Sequence, residues 1–280
     1  MSYKTLLAVL DTVEKTAKTA DFAFDLARQH DAHVIGLHAE TVSAVPIAAP
    51  MNIPDPIALE ALQSVAHDQA EKIEAAFQTE AGKVESSSEW RNYPTSTGYN
   101  ALPVIEAARS ADLLIVSQTN PETSLDMGID VDNLLYEIGR PLLVIPFVLQ
   151  NPKPIRRVLV AWNGSREAAR AVFDSLPFLK KAEEVEIFMV DSNEHHVQNA
   201  TLSGADIAAT LRRHGVQARL SSKASGDQST SAIIESRLAD GSIDLLVMGA
   251  YTHSWLWQTL FGGTTKNLLK SMTALTLLSR

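Results

Sequence analysis

The chain contains two copies of one pattern of short apolar runs, and this repeat limits the possible fold more than any other feature. Four segments recur in the same order in both halves, and the matched pairs are 6–11 with 158–163, 33–40 with 184–191, 111–116 with 243–248, and 141–145 with 274–278. The separation between matched segments falls once, by about 20 residues, which indicates an insertion in the Pro-rich segment 41–56 of the first half. The pattern indicates a duplication.

The repeated segments are continuous apolar runs, as expected for strands that are buried on both faces of a parallel sheet. Helical spacing of apolar residues lies between them, in residues 17–27, 62–77, 169–179, 202–214 (closed by Gly215) and 266–272. Alternation of strands and helices favours right-handed βαβ units. The sequence therefore predicts an α/β fold of two tandem Rossmann-like domains, each a five-stranded parallel sheet with flanking helices.

A length of 280 residues fits two such domains, since domains commonly have about 100–200 residues. Segment 147–154 contains two prolines and is predicted to be the linker. The predicted domains are residues 1–150 and 151–280.

Composition excludes several classes of function. Twenty-four Lys and Arg residues against 33 Asp and Glu residues give a net charge of −9, which argues against a nucleic-acid partner. The chain has no cysteine, so disulfides, thiolate metal sites and cysteine nucleophiles are excluded. The first apolar run is too short for a signal peptide, and no run reaches the ~20 residues of a membrane span. We expect a cytoplasmic protein that does not bind membranes.

Ligands of open parallel sheets bind beyond the carboxyl ends of the strands. In the second half, Asn163 follows the first strand, and Ser165 is a candidate N-cap. Gly262 and Gly263 precede Thr264 and Thr265 at the start of a predicted helix, an arrangement that suits phosphate, although a simple turn is the alternative. Neither Gly-x-Gly-x-x-Gly nor a P-loop motif is present, which argues against hydride-transfer enzymes and P-loop NTPases.

These features resemble the universal stress protein family in its tandem-domain bacterial form. Residues 160–168 resemble the first strand and helix of the family domain, and residues 244–251 resemble its fourth strand, with a following Gly-x-x-(Gly)-x9-Gly-(Ser/Thr) pattern. In ATP-binding members, these loops hold adenine, ribose and triphosphate. The resemblance implies that ATP or a related adenine nucleotide, with Mg²⁺, binds at Ala161, Trp162, Asn163, Met189, Val190, Met248, Gly249, Thr252, Gly262, Gly263, Thr264 and Thr265.

The match is incomplete in both halves. Asn163 replaces the usual Asp, Gly263 stands where Ser or Thr is usual, and Thr252 replaces a glycine at which a side chain would crowd the phosphate. The first half lacks the glycine pair and carries acidic residues that would repel phosphate, namely Glu122, Asp126, Asp130 and Asp132. It is predicted to be a degenerate copy with a structural role, in which Asp11 caps a helix.

Three other groups of residues allow alternatives. His33, His38 and Glu40 would bind a metal or form the polar end of a strand. His195 and His196 are predicted in an exposed loop. One loop contains four aromatic residues, Tyr251, Trp255, Trp257 and Phe261. They would flank a base, pack the loop onto the sheet or contact another protein.

The resemblance implies a non-catalytic stress-response or regulatory factor, because no general base or metal-binding carboxylate is evident beside the glycine loop. It also implies dimerisation, either as a homodimer or as an internal pseudo-dimer that pairs the fifth strands, and an unknown protein partner. The alternatives are a nucleotide-free interaction scaffold and an enzyme such as an ATP pyrophosphatase. The latter class is disfavoured because its Ser-Gly-Gly-x-Asp-Ser motif is missing.

Overall fold

Strands and helices alternate along the chain. The computed structural model describes residues 2–42, 56–96, 101–118, 131–191, 194–250 and 263–280. The strands are β1 (Thr5–Val9), β2 (His33–Val42), β3 (Ser88–Ser96), β4 (Leu113–Ser117), β5 (Leu142–Ile145), β6 (Arg157–Ala161), β7 (Glu184–Asp191), β8 (Ala218–Ala224), β9 (Leu245–Gly249) and β10 (Leu275–Ser279). The helices are α1 (Val13–His30), α2 (Pro56–Ala81), α3 (Ala101–Ala108), α4 (Val131–Glu137), α5 (Arg166–Asp174), α6 (Leu176–Leu179), α7 (Glu194–Arg213), α8 (Thr230–Asp240) and α9 (Gly263–Ser271).

The elements form two compact units, the first with β1–β4 and α1–α4 and the second with β5–β10 and α5–α9. The first unit has the strand order β3-β2-β1-β4, and all neighbouring strands are parallel. In the second unit, β8-β7-β6-β9-β10 repeats this order with parallel strands. The predicted α/β class with a mostly parallel sheet is therefore confirmed.

Strand β5 lies in the second unit, where it runs antiparallel to β10 with Leu143 opposite Leu277. All four residues of β5 are buried. Such a strand needs a hydrogen-bonding neighbour, and the edge of β10 supplies one. The division into domains at residue 150 stays a prediction.

The apolar runs form the centre of each sheet because they have apolar side chains on both faces. Leu6, Leu7 and Ala8 of β1 are inaccessible to solvent, as are Leu113 and the two residues after it in β4. Helix α1 covers this region with its buried face, while its polar residues point to solvent. Burial on both faces is the reason that these strands show no alternation of polar and apolar residues.

Several helix boundaries differ from the predictions. Helix α7 begins at Glu194, so the prediction of a loop at His195 and His196 is wrong. These residues do not break helices, and an acidic residue at the start favours the helix. The single helix predicted over 169–179 is divided into α5 and α6, because Pro177 has no backbone N–H to continue the first helix. None of the helices within the described ranges has the length and apolar character that a bilayer span requires.

One hydrogen-bond arrangement occurs in both units, and we call it the aspartate clip. Asp112 precedes β4, and its Oδ2 accepts hydrogen bonds from the backbone N–H groups of Lys4 (2.7 Å) and Thr5 (3.0 Å) at the start of β1. Asp244 precedes β9, and its Oδ2 accepts from both backbone N–H groups of residues 156–157, at 3.0 and 2.9 Å. Each clip joins the amino ends of the two central strands of its sheet.

The clip of the second unit also contains a salt bridge, in which Lys153 Nζ lies 2.9 Å from Asp244 Oδ1. Burial favours the neutral carboxyl, but Lys153 and the two backbone N–H groups outweigh burial and hold the pKa of Asp244 below its usual range. A lowered pKa means that the charged clip stabilises the fold above the ordinary aspartate pKa of about 3.9, and that this stabilisation disappears as the pH falls through the folded-state value.

We predict that Asp244→Ala lowers the free energy of unfolding at pH 7 by about 1–3 kcal/mol, because two backbone donors lose their acceptor. Chemical denaturation measures the effect, and Asp227→Ala, an exposed carboxylate of the same unit, serves as the control with little change. The difference between wild type and Asp244→Ala should shrink below pH 4. If Asp244→Ala and Asp227→Ala are equally stable at pH 7, the clip does not stabilise the fold.

Candidate functional site

The carboxyl ends of β6 and β9 lie side by side in the second unit. Ala161 at the end of β6 is in register with Met248 of β9, and on its other side with Phe188 of β7. The chain leaves β6 toward β7, while β9 lies on the opposite side of β6. This divergence is the topological switch point at which doubly wound sheets bind ligands.

The loop after β6 is ordered by its own polar side chains. Asn163 is exposed, and its Oδ1 accepts a hydrogen bond from the backbone N–H of Ser165 at 3.1 Å. Gly164 adopts a φ of +74°, a conformation that strongly favours glycine. Ser165 Oγ accepts from the backbone N–H of Ala168 at 3.1 Å, which confirms the predicted N-cap of α5.

Gly249, at the end of β9, packs directly against the first turn of α5. A Cβ atom at this position would lie 2.5 Å from both the backbone nitrogen of Ala168 and the carbonyl carbon of Glu167. Only 2% of the Glu167 surface is exposed, and its carboxylate pairs with the exposed guanidinium of Arg166. The close approach of a helix backbone is therefore sufficient reason for a glycine at position 249.

Two residues predicted to lie at the nucleotide site, Trp162 and Met189, are covered by protein. The backbone N–H of Trp162 donates to Phe188 O at 2.9 Å, and the Trp162 side chain is buried. Met189 is 4% exposed and lies under Gly204 of α7, where an added Cβ would be 2.8 Å from the Met189 sulfur. Val190 is half-buried, and its side chain leaves β7 on the face opposite Met189.

The remaining predicted residues fall at or near the start of α9. Gly263 is its first residue, and Thr265 is buried in its first turn. Thr264 belongs to the same turn, but its side chain is not described. Thr252 and Gly262 lie outside the described residues, as does the aromatic loop with Tyr251, His253, Trp255, Trp257 and Phe261. The structure thus places Ala161, Asn163, Met248 and Gly249 at the switch point.

Gln118, the residue that follows β4, makes structural hydrogen bonds. Gln118 belongs to the second unit, where its Nε2 donates to Leu269 O (2.8 Å) and its Oε1 accepts from Phe147 N–H (2.9 Å). Its backbone N–H donates to Ile145 O at 2.8 Å, as the N–H of the corresponding Ala250 does to the end of β10. Sequence reasoning missed Gln118, although a polar residue opposite a small one in the repeat alignment was an available signal.

The prediction that Asp11 caps α1 is wrong, because the N-cap is Thr12 and no side chain caps the helix. The Asp11 carboxylate instead lies 3.4 Å from Lys15 Nζ, one helical turn away. Of the acidic residues predicted to repel phosphate, Asp132 lies in the first turn of α4. The others, Glu122, Asp126 and Asp130, lie outside the described residues.

The polar side chains of β2 have separate partners. His38 Nδ1 donates to Leu10 O at 2.7 Å, and its ring stacks on Trp90. Burial lowers the pKa of His38, although the Leu10 carbonyl and nearby carboxylates oppose this shift. Glu40 accepts from Asn92 (2.6 Å), while His33 lies against a serine. Within the ranges that the structure describes, no three His, Cys, Asp or Glu side chains are placed to hold a metal ion.

We predict that Gly249→Ala lowers the free energy of unfolding by about 1–3 kcal/mol, because its methyl group meets backbone atoms that move only with α5. Gly204→Ala is the matched control, since it meets the flexible thioether of Met189 and improves helix propensity. Urea denaturation of both variants measures the difference. If Gly249→Ala is as stable as Gly204→Ala, α5 does not pack against β9 in this way.

No family model matches the sequence, and no curated protein matches it significantly. Among solved structures, a universal stress protein from Archaeoglobus fulgidus DSM 4304 is similar, with 13% identity, a TM-score of 0.70, and coverage of 99% of this chain and 98% of that chain. The functionally unknown protein PA1789 from Pseudomonas aeruginosa PAO1 has 14% identity and a TM-score of 0.60, over 99% of this chain and 92% of its own. The chain therefore has the fold of the universal stress proteins, as its motifs predict.

Proposed function

We propose that this chain is a tandem universal stress protein, a non-catalytic regulatory factor of a stress response that binds ATP or another adenine nucleotide in the domain 151–280. The observation that supports this most is the switch point between β6 and β9. An exposed Asn163 lies there, beside the end of β9, on a fold shared with a universal stress protein.

Each group at this edge has a chemical task in the proposal. The exposed amide of Asn163 hydrogen-bonds a ribose hydroxyl, and Val190 contacts the base. The first turn of α9, with Gly263 and Thr265, offers backbone N–H groups and a positive helix dipole to the phosphates. Magnesium accompanies the nucleotide and is held mainly by phosphate oxygens, as is usual for this ion.

A non-catalytic role agrees with the state of Glu167, a carboxylate in the first turn of α5. Glu167 is buried and paired with Arg166, so it is not exposed to activate a water molecule. General-base catalysis requires a basic group, such as an imidazole or a carboxylate, within hydrogen-bond reach of the attacking water. In this proposal, any hydrolysis of ATP is therefore slow and incidental.

The antiparallel pairing of β5 with β10 supports an internal pseudo-dimer as part of the proposal. The fifth strand of each copy has the same edge available, and pairing one with the other satisfies both sets of backbone groups. A homodimer of the whole chain and an unidentified protein partner remain part of the same proposal.

A second candidate, a nucleotide-free scaffold that acts through protein partners, is favoured by two packing contacts. Gly249 is covered by the backbone of α5, and Met189 is covered by α7 at Gly204. Two of the residues expected to contact nucleotide are thus in contact with protein. If the protein is such a scaffold, Gly249 and Met189 serve helix packing alone.

Calorimetric titration with ATP and magnesium distinguishes these candidates. We predict that wild type binds, that Gly262→Val abolishes binding, and that Asn163→Ala weakens it about 3–10-fold through loss of one hydrogen bond. Asp11→Ala, which removes the corresponding residue of the first copy, is the matched control and should leave the affinity unchanged. Absence of binding at about 1 mM ATP, a concentration that detects affinities of −4.1 kcal/mol, would support the scaffold instead.

A further inference from the structure

An ion cluster surrounds the buried Glu186 in the second unit. Glu186 of β7 is 3% exposed, and Arg237 of α8 donates to its carboxylate through Nε at 3.0 Å and Nη2 at 2.7 Å. Arg219 adds a bond of 2.7 Å, and Ser221 donates to the same carboxylate. Burial opposes the charge, but these donors outweigh it and keep the pKa of Glu186 below its usual range. The cluster joins β7, β8 and α8.

In the first unit, the positions equivalent to Glu186 and Arg237 are apolar, whereas those equivalent to Arg219 and Ser221 are Glu89 and Arg91. Ile35 is in register with Leu7 of β1, as Glu186 is with Leu159 of β6. Ile105 lies seven residues before the first clip aspartate, as Arg237 lies before the second. Ile35 and Ile105 are both buried. Two isoleucines cannot form a polar cluster, so the Glu186–Arg237 link of the second unit has no counterpart at these two positions.

A groove of about 470 Å³ opens between β3 and α3 in the first unit. Residues near the end of β3, including Arg91, Tyr93 and Pro94, form one wall, and α3, with Leu102 and Glu106, forms the other. Tyr93 is 40% exposed and Leu102 is 52% exposed, so the groove presents an aromatic and an aliphatic side chain to solvent. Its volume lies within the range of about 300–1,000 Å³ that ligand sites occupy.

The groove carries one uncompensated charge. Arg91 pairs with Glu89, so its charge is neutralised. Arg109 follows Glu106 by three residues, but its guanidinium lies against the carbonyl and carboxylate of Glu137. Glu106 has no ion-pair or hydrogen-bond partner among the residues described, and it is exposed. A cationic group is the complement of this site.

The free edge of β3 does not suit the addition of another strand. Val34 N–H donates to Ser87 O, so the odd-numbered residues of this parallel strand direct their backbone groups toward β2. Pro94 therefore faces the free edge, where it has no N–H to donate. An occupant must be held by side chains in the groove and not by a backbone ladder.

We propose that this groove binds a short segment of a protein partner, with a Lys or Arg side chain beside Glu106 and an apolar side chain against Tyr93 and Leu102. The net charge of −9 favours the approach of a basic partner. The proposal does not depend on nucleotide binding, because every residue involved belongs to the first unit.

Amide chemical-shift mapping by NMR tests the proposal with the full chain. The probe is the peptide acetyl-Leu-Arg-Leu-Arg-Leu-amide, and the matched probe has Glu in place of Arg. We expect the basic peptide to shift the amides of Tyr93, Leu102 and Glu106, and the acidic peptide to shift none of them. Shifts that are absent at millimolar peptide, or equal for both peptides, would overturn the proposal.

A pair of variants tests the charge itself. Glu106→Gln should weaken binding of the basic peptide at least about threefold. This effect lies in the upper part of the free-energy range for an exposed ion pair. Glu74→Gln makes the same charge change on the exposed surface of α2 and should leave affinity unchanged. Both side chains are exposed, so both variants should fold, and their amide spectra verify this. If both variants weaken binding of the basic peptide equally, only the net charge of the protein matters, and the proposed site is refuted.

Discussion

The aspartate clip determines the arrangement on which the rest of each unit depends. Asp112 and Asp244 each bind two backbone N–H groups of the neighbouring central strand, and so fix the amino ends of β1 with β4 and of β6 with β9. The carboxyl ends of the same strands then lie together at the opposite edge. Because the clip holds one end of the strand pair, the loops at the other end can differ between the units without loss of the fold.

The two units differ at the ends of equivalent strands and in the packing of equivalent helices. Ser117 ends β4 and donates to or accepts from Thr19 of α1 at 2.6 Å, whereas the corresponding Gly249 allows α5 to approach closely. In the first unit, Phe77 of α2 packs over Gly36 of β2. In the second unit, the small Gly204 of α7 covers the large Met189, at a different position along β7. Equivalent helices therefore pack on equivalent strands by different side-chain combinations.

Much of the fold could be predicted from the sequence because burial on both faces of a parallel strand leaves a continuous apolar run. Ser165 was also predictable, since an N-cap depends only on nearby residues. The position of Met189 under Gly204 was not, because it depends on how α7 crosses β7. The helical state of His195 and His196 was missed because local polarity indicates a loop, although neither residue breaks a helix and α7 begins at the acidic Glu194.

The sequence predicted where the candidate site lies in the fold, but not which contacts its residues make. The repeat places residues 161–165 and 248–249 at the carboxyl edge, but their contacts depend on the approach of α5. The groove beside β3 has no sequence motif. It lies in the unit where two isoleucines stand in place of the Glu186–Arg237 pair, a difference that is visible only once both units are aligned by strand register.

The central claim is that both units share one scaffold and that only the second presents a nucleotide edge. Hydrogen–deuterium exchange of the full chain with and without ATP and magnesium tests it most directly. The account predicts slower exchange in residues 161–168 and 263–268, and unchanged exchange in residues 9–16 of the first unit. Slower exchange in residues 9–16, or no change anywhere at saturating nucleotide, would contradict it.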